Sequence, residues 1–489
     1  MNKYLLKTEL IIVLFGIVLN ILIAQNNLEK FDKTIKDYEG KSYNQILGSD
    51  LIDTWHYAED VRERLSEKKS FWSSMPSYER FFLPSIIVGM YYHLIDKEIY
   101  ETIDTGEKVV KSNNSKFGLL LIQILLYYIS IYFFCIAIKK KYKINYHIIL
   151  LIFLSFEPTI IQWHSSFWSE SLFITMIIFL FYLLIKNSNS HILNTIIGIL
   201  VGLIFAQRAV SFLFIVPVIL YYLIRHKKNL KPTLFLIFGF ILFMFFIGFN
   251  NYKKTDHFYF LSSQHQYYSY YYYFGARIYA DKHNISQTKA QDILNNEEKK
   301  WIEDNKIYLN DAKHNFVPEE IASEHGASTE LREDYFKNIK YRNKKFIEIA
   351  LSNPLYTAKL YIKRCLLMSH FSPTWVLESY INDRTHPDAI QNTSKYYNRN
   401  LTRDIYYSLT LYIFIFTGFL FICREAYLKK ELSEYNKFLL FQVLSILYFV
   451  SISGFWGNTK YFIPCAINLS FFFAQGLRIY FDYFKKIIS

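Results

Sequence analysis

The sequence predicts an all-α polytopic membrane protein, and three observations predict it. Of 489 residues, 52% are hydrophobic and only 20% charged, where a soluble chain has roughly a quarter charged. The apolar residues form unbroken blocks, Leu5 to Ala24, Gly118 to Ile138, Pro232 to Asn250 and Ile405 to Ile422, each near the roughly 20 residues that cross a bilayer as a helix. Lysine and arginine gather in alternate connections between such blocks. A secreted protein, a cytosolic enzyme and a nucleic-acid partner are thereby excluded. The net charge of +13, 55 basic minus 42 acidic residues, reads as cytoplasmic anchoring instead.

The first block follows Lys3 and Lys7, and without a good small-residue cleavage site it reads as an uncleaved first span. Lys139, Lys140, Lys141 and Lys143 follow the second block, Arg225, Lys227, Lys228 and Lys231 fill a later turn, and Arg424, Lys429, Lys430 and Lys437 another. The alternate connections are nearly bare, with no Lys or Arg from Glu157 to Glu170. The positive-inside rule then places both termini in the cytoplasm of a cell (inner or plasma) membrane, with about ten spans. Three parts follow: a core over 1–250 with about seven spans and a first outer loop over 25–115, a large outer loop over 251–400, and C-terminal membrane helices over 401–489. Asn353 to Arg364 and Arg80 to Leu94 read as amphipathic helices, lying on the outer membrane surface or packing on their own loop. The six tyrosines within Tyr267 to Tyr273 read as an interfacial belt or a cavity wall. Cys135, Cys365, Cys423 and Cys465 show no ligand spacing, so neither a disulfide framework nor structural zinc is expected.

Charges at the wrong depth carry the chemistry. The hairpin arms Ser171 to Ile185 and Ile192 to Ala206 have 15 residues each, about 22 Å at 1.5 Å per residue, against a core of about 30 Å. Glu170 and Arg208 end those arms on the outer side, at or below the membrane surface, where ionisable groups line a cavity or pair with each other. The plain alternative is a structural salt bridge between them. Gly198 and Gly202 are spaced to hold the two arms closely. Lys460, entering the last span, is a third such charge, for which snorkelling is the alternative. Cations beside lipid suit an anionic headgroup: Arg208 with its planar fork, Lys460 as a point charge.

In the first outer loop, Asp53-Thr54-Trp55-His56-Tyr57-Ala58 reads as an N-capped helix start. The stretch also resembles the first outer loop of GT-C integral-membrane glycosyltransferases, above all bacterial aminoarabinose lipid A transferases and protein O-mannosyltransferases. Those often have Asp-Glu where this chain has Asp53-Thr54. Further resemblances follow in order: Pro76 and Pro84 around Tyr78-Glu79-Arg80, Ser169-Glu170-Ser171-Leu172, Gly198, Gly202 and Arg208, Asn250 to Phe258, Asn353-Pro354, and Lys460-Tyr461 before Pro464.

The resemblance implies a GT-C bundle that transfers a sugar, with inversion, from a polyprenyl-phosphate donor to an acceptor glycan, lipid or protein at the periplasmic or exterior face. Asp53 would be the base that takes the acceptor's proton, and Glu170 a second catalytic acid orienting the acceptor or Arg208. Arg208 and Lys460 would stabilise the leaving phosphate, and Tyr57, His56 and Tyr461 would line the substrate site. No cofactor is demanded. Some relatives use a divalent metal, and His56 and His164 are the candidate ligands beside Glu170. Membrane lipids are the remaining partners. Two other readings compete: a glycan polymerase or ligase with a catalytic Arg277 or Arg342, and a transporter, which would more often show repeated halves and helices broken near the midplane.

Overall fold

The computed structural model describes residues 2–31, 34–36, 42–44, 52–68, 82–102, 108–110, 115–143, 146–165, 169–186, 190–227, 229–255, 258, 260, 269–307, 329–371, 393–428, 433–456 and 462–488. The helices in order are α1 Asn2–Phe31, α2 Ile52–Ser66, α3 Phe82–Leu94, α4 Ser115–Tyr142, α5 His147–Phe156, α6 Pro158–Ile161, α7 Ser169–Lys186, α8 His191–Gln207, α9 Ile215–His226 and α10 Lys231–Thr255. After these come α11 Ala276–His283, α12 Gln287–Asp304, α13 Thr329–Ser352, α14 Pro354–Met368, α15 Thr393–Leu428, α16 Glu434–Trp456 and α17 Ile463–Ile488. The all-α polytopic membrane fold is as the sequence predicts, because a helix alone satisfies every backbone group of one spanning segment.

Six described helices, in α1, α4, α7, α10, α15 and α16, are long and apolar enough to cross a bilayer. The pair formed by α5 and α6 with its trailing turn, bent by 51°, makes a seventh if it is one broken span. A count of ten needs the shorter apolar α8 and α9 and the amphipathic α17 to cross as well. Two small antiparallel ribbons add to the helices. One pairs Thr34–Lys36 with Ser42–Asn44 and the other Tyr100–Thr102 with Lys108–Val110.

Polar contacts fix the two ends of the bundle. At one end Glu9 of α1 accepts from Lys139 at 2.8 Å and lies 2.9 Å from His147 Nε2, joining the start of α1, the end of α4 and the start of α5. Lys141 Nζ donates to the Ile185 carbonyl and Arg225 Nη1 to that of Leu184 (2.7 Å), so cations from α4 and α9 cover the electronegative C-terminus of α7. Between the ends, Tyr127 and Tyr128 of α4 donate to the carbonyls of Leu154 and Ser155 in α5.

Helix association in a bilayer relies on close packing, since lipid is as apolar as the side chains. Glycine supplies it here. A Cβ on Gly198 would overlap the Leu236 carbonyl, and one on Gly202 would strike Phe243. Those partners lie on α10. Gly198 and Gly202 therefore lock α8 to α10, not the two arms of the α7–α8 hairpin to each other as their spacing suggested. Gly418 of α15 and Gly476 of α17 make a comparable crossing against the carbonyls of Phe472 and Phe414.

The segments between spans form two further layers. Helix α2 packs on α3 where Gly89 leaves room for the Ala58 carbonyl, and Glu59 pairs with Arg62 at 2.7 Å. The second layer, the π-helical turn Ser269–Gly275 and α11 to α14, has its own core of Tyr271, Phe274, Ile278, Leu294, Ile349 and Leu360. Tyr271, from the middle of the tyrosine run, is buried and donates to the Leu294 carbonyl. It is a core residue there, while Tyr273 stays exposed. Asn353-Pro354 starts α14 with proline at its first position. Tyr361 of α14 then donates to the Ser451 carbonyl of α16.

Candidate active site

The site is built where the α5–α6 pair, the α7–α8 hairpin and the end of α16 meet. Glu157 ends α5 and caps α6, accepting from the Ile160 N–H and from Thr159, both at 3.0 Å, with Pro158 as the first residue of the new helix. Tyr407 of α15 donates to the same carboxylate at 3.2 Å. The stretch from Glu157 to Glu170 is thus partly folded into the bundle instead of being a plain connection. Glu157 lies about 15 Å along from the start of α5, and the sequence marks it only as the edge of a stretch without Lys or Arg.

The chain next makes a single 3-10 turn, Gln162–His164. His164 is fully buried, stacks on Tyr127 with ring centroids 3.8 Å apart, and hydrogen-bonds through Nδ1 with Ser171 Oγ at 2.8 Å. Asn27 at the end of α1 donates to the Ser165 carbonyl at 3.0 Å, and Gln123 of α4 to that of His164 at 3.4 Å. His164 is a packed helix-pairing residue in this geometry.

Helix α7 opens with Ser169 and Glu170, so a carboxylate sits in the first turn, where the helix dipole favours it. Helix α8 ends at Gln207, and Arg208 turns to extended backbone (φ −151°) at the electronegative end. The two helices are antiparallel, so these opposite ends lie side by side. Arg208 Nη1 pairs directly with the Glu170 carboxylate, and both side chains are buried, 4% and 2% exposed. Ser169 Oγ is 3.4 Å from the guanidinium and donates to Glu170 Oε2 at 3.2 Å, and Gln207 Nε2 donates to the Ser169 carbonyl at 2.9 Å. The Phe173 ring lies 5.9 Å from the guanidinium carbon. The structure thus brings Glu170 and Arg208 together. Helices α7 and α8 run 18 and 17 residues, about 27 and 26 Å, so the arms are longer than the apolar residues alone suggested.

Beyond Arg208, Tyr448 of α16 donates to the Val210 carbonyl at 2.7 Å and accepts from the Leu213 N–H at 3.0 Å. That ties α16 to the same end. Lys460 and Tyr461, in the link from α16 to α17, lie outside the described residues. Asp53 lies in the first turn of α2, one residue past its start, rather than at the cap position. The side chains of Asp53, His56 and Tyr57 are also outside the described residues. Their helix is nonetheless placed: α2 rests on α3, and Leu83 of α3 packs against Phe205 and Ala206, the last turn of α8 before Arg208. Among the described residues no group of three or more His, Cys, Asp or Glu could hold a metal ion, so the described part of the site does not fit one.

No curated protein matches the chain. Residues 83–266 run from α3 to just past α10 and include both Glu170 and Arg208; they match the model of the Alg9-like mannosyltransferase family, a GT-C type of membrane glycosyltransferase.

Proposed function

We propose that this membrane glycosyltransferase moves a sugar from a polyprenyl-phosphate donor to a glycan, lipid or protein acceptor on the outer face of the cell membrane, with inversion. One observation carries the reading: the buried Glu170–Arg208 pair lies inside the family-matched region, at the end of the bundle opposite the basic residues Lys139, Lys141 and Arg225. By the positive-inside rule that basic end is cytoplasmic. Both termini then lie inside, and the pair faces outward.

The chemistry needs a base and a place for negative charge. An acceptor hydroxyl is a weak nucleophile until a carboxylate takes its proton as the new bond forms. Asp53, on the helix layered over this end, is that base. As the glycosidic bond breaks, charge grows on the lipid phosphate, and a fixed cation in a water-poor site lowers the barrier. Arg208 has five N–H donors in a rigid fork. Glu170 pairs with the fork and holds its plane, and the guanidinium charge stabilises the phosphate. Lys460 adds a point charge from the α16–α17 link, with His56, Tyr57 and Tyr461 around the sugar. The matched family's members are described as mannosyltransferases, so a hexosyl donor is the first to test.

The polymerase reading loses its arginines. Arg342 is 1% exposed and paired with Glu298 at 2.7 Å, and Arg277 donates to Gln287 on the surface of the second layer. The test separates base from phosphate ligand. Asp53→Asn should abolish turnover with donor affinity kept, and Arg208→Lys should weaken donor binding with the pair to Glu170 retained. Wild-type turnover by the first variant, or unchanged donor affinity in the second, overturns the respective role.

A further inference from the structure

Among the described residues, Arg364 is a buried cation paired with no anion. It lies on α14, 7% exposed, and its Nη1 is shielded from solvent with no acceptor. The guanidinium carbon sits 5.2 Å from the centroid of the buried Phe274 ring. The charge it feels most is another cation, Arg277 of α11, and burial together with that repulsion pushes the Arg364 pKa down to about 10. It therefore stays charged at neutral pH. Arg277 is exposed and donates to Gln287 Oε1 at 2.9 Å. Asp281, one turn further along α11, lies beside Tyr356, and among the described residues it forms an ion pair with neither arginine.

A buried guanidinium without an anion is costly, and a second cation that acts on it adds to the cost, so a bound anion would relieve both. The helix shows where it comes from. Leu355, Ile362 and Leu366 are exposed on one strip of α14, the strip a lipid surface would cover. Arg364 is nine residues from Leu355, about 180° round the helix. It faces away from that strip, toward the core of the second layer at Phe274, and Tyr361 holds the helix to the end of α16 that carries the candidate active site.

We propose that Arg364 and Arg277 form an oxyanion site that takes a phosphate group, with Phe274 as its apolar floor. Arg364 supplies the fixed buried donors and Arg277 the exposed entry. The site is separate from Arg208, and it does not depend on Asp53 being the base.

The test is thermal unfolding of the full chain in neutral detergent, titrated in turn with inorganic phosphate, farnesyl monophosphate and phosphatidylglycerol. Wild type should gain saturable stability from at least one probe. Arg364→Met, which keeps the length and removes the charge, should unfold at the same or a higher temperature without ligand and lose that gain. Arg277→Gln should weaken it on the order of tenfold, and Arg208→Gln should leave the Arg364-dependent part intact. A gain from farnesyl monophosphate or phosphate assigns the site to a substrate phosphate, and a gain from phosphatidylglycerol alone to a bilayer lipid. No gain in wild type, or a full gain in Arg364→Met, overturns the proposal.

Discussion

Glu170 and Arg208 are held by one another as well as by their helix ends. Removing one partner leaves the other charge buried, which typically costs about 3–5 kcal/mol, whereas replacing both by apolar residues of similar volume is often neutral. Glu170→Gln alone should therefore lower the unfolding temperature markedly. The double variant Glu170→Met/Arg208→Met should recover most of the stability and none of the transfer. A double variant that still turns over would reduce the pair to scaffolding. Tyr407→Phe makes a smaller change: it removes one hydrogen bond to the Glu157 carboxylate, worth about 1.5–3 kcal/mol, and equilibrium unfolding should show a loss in that range. Residue-level legibility in the sequence was uneven for a physical reason. Glu170 and Arg208 stand at the ends of apolar runs, so their type and position were visible. Glu157 also follows an apolar run, but its partner Tyr407 is 250 residues away, and only tertiary structure brings the two together.

At the scale of elements, the spans were legible and their neighbours were not. Apolar length gives a helix whatever it packs on, so α1, α4, α10 and α15 appear where the four blocks stand. Gly198 and Gly202 announce a close approach without saying to which helix. The partner is α10, through the Leu236 carbonyl and Phe243. Gly198→Leu should therefore separate α8 from α10, since overpacking costs about 1–3 kcal/mol even where neighbours can shift and a carbonyl cannot. Size-exclusion chromatography should show loss of the monodisperse protein, and a normal profile would contradict the crossing. Helix α14 was readable as amphipathic from Asn353 onward. That Arg364 turns inward while Lys359 and Lys363 stay exposed depends on the other helices of the second layer, which the helix's own sequence does not encode.

For the whole molecule, orientation and the donor decide the proposed transfer. Glu63 is exposed on α2 and Lys140 is exposed at the basic end of α4. In a Cys423→Ser background, a membrane-impermeant maleimide added to intact cells should label Glu63→Cys and spare Lys140→Cys. The reverse pattern would turn the proposed site to the cytoplasm. The sequence made the membrane class and the GT-C resemblance legible because composition and motif order survive without contacts. The sugar and the acceptor were not, because the residues proposed around them, Asp53, Arg208 and Lys460, come from segments far apart in the chain. The central claim is tested most directly by incubating purified protein in nanodiscs with polyprenyl-phosphate hexoses and a panel of glycan, lipid and peptide acceptors, and measuring the free polyprenyl phosphate and the glycosylated product by mass spectrometry. Wild type should release both in equal amounts, the product with inverted anomeric configuration, and Asp53→Asn neither; a sugar product formed without loss of the lipid-phosphate donor would overturn the proposed transfer.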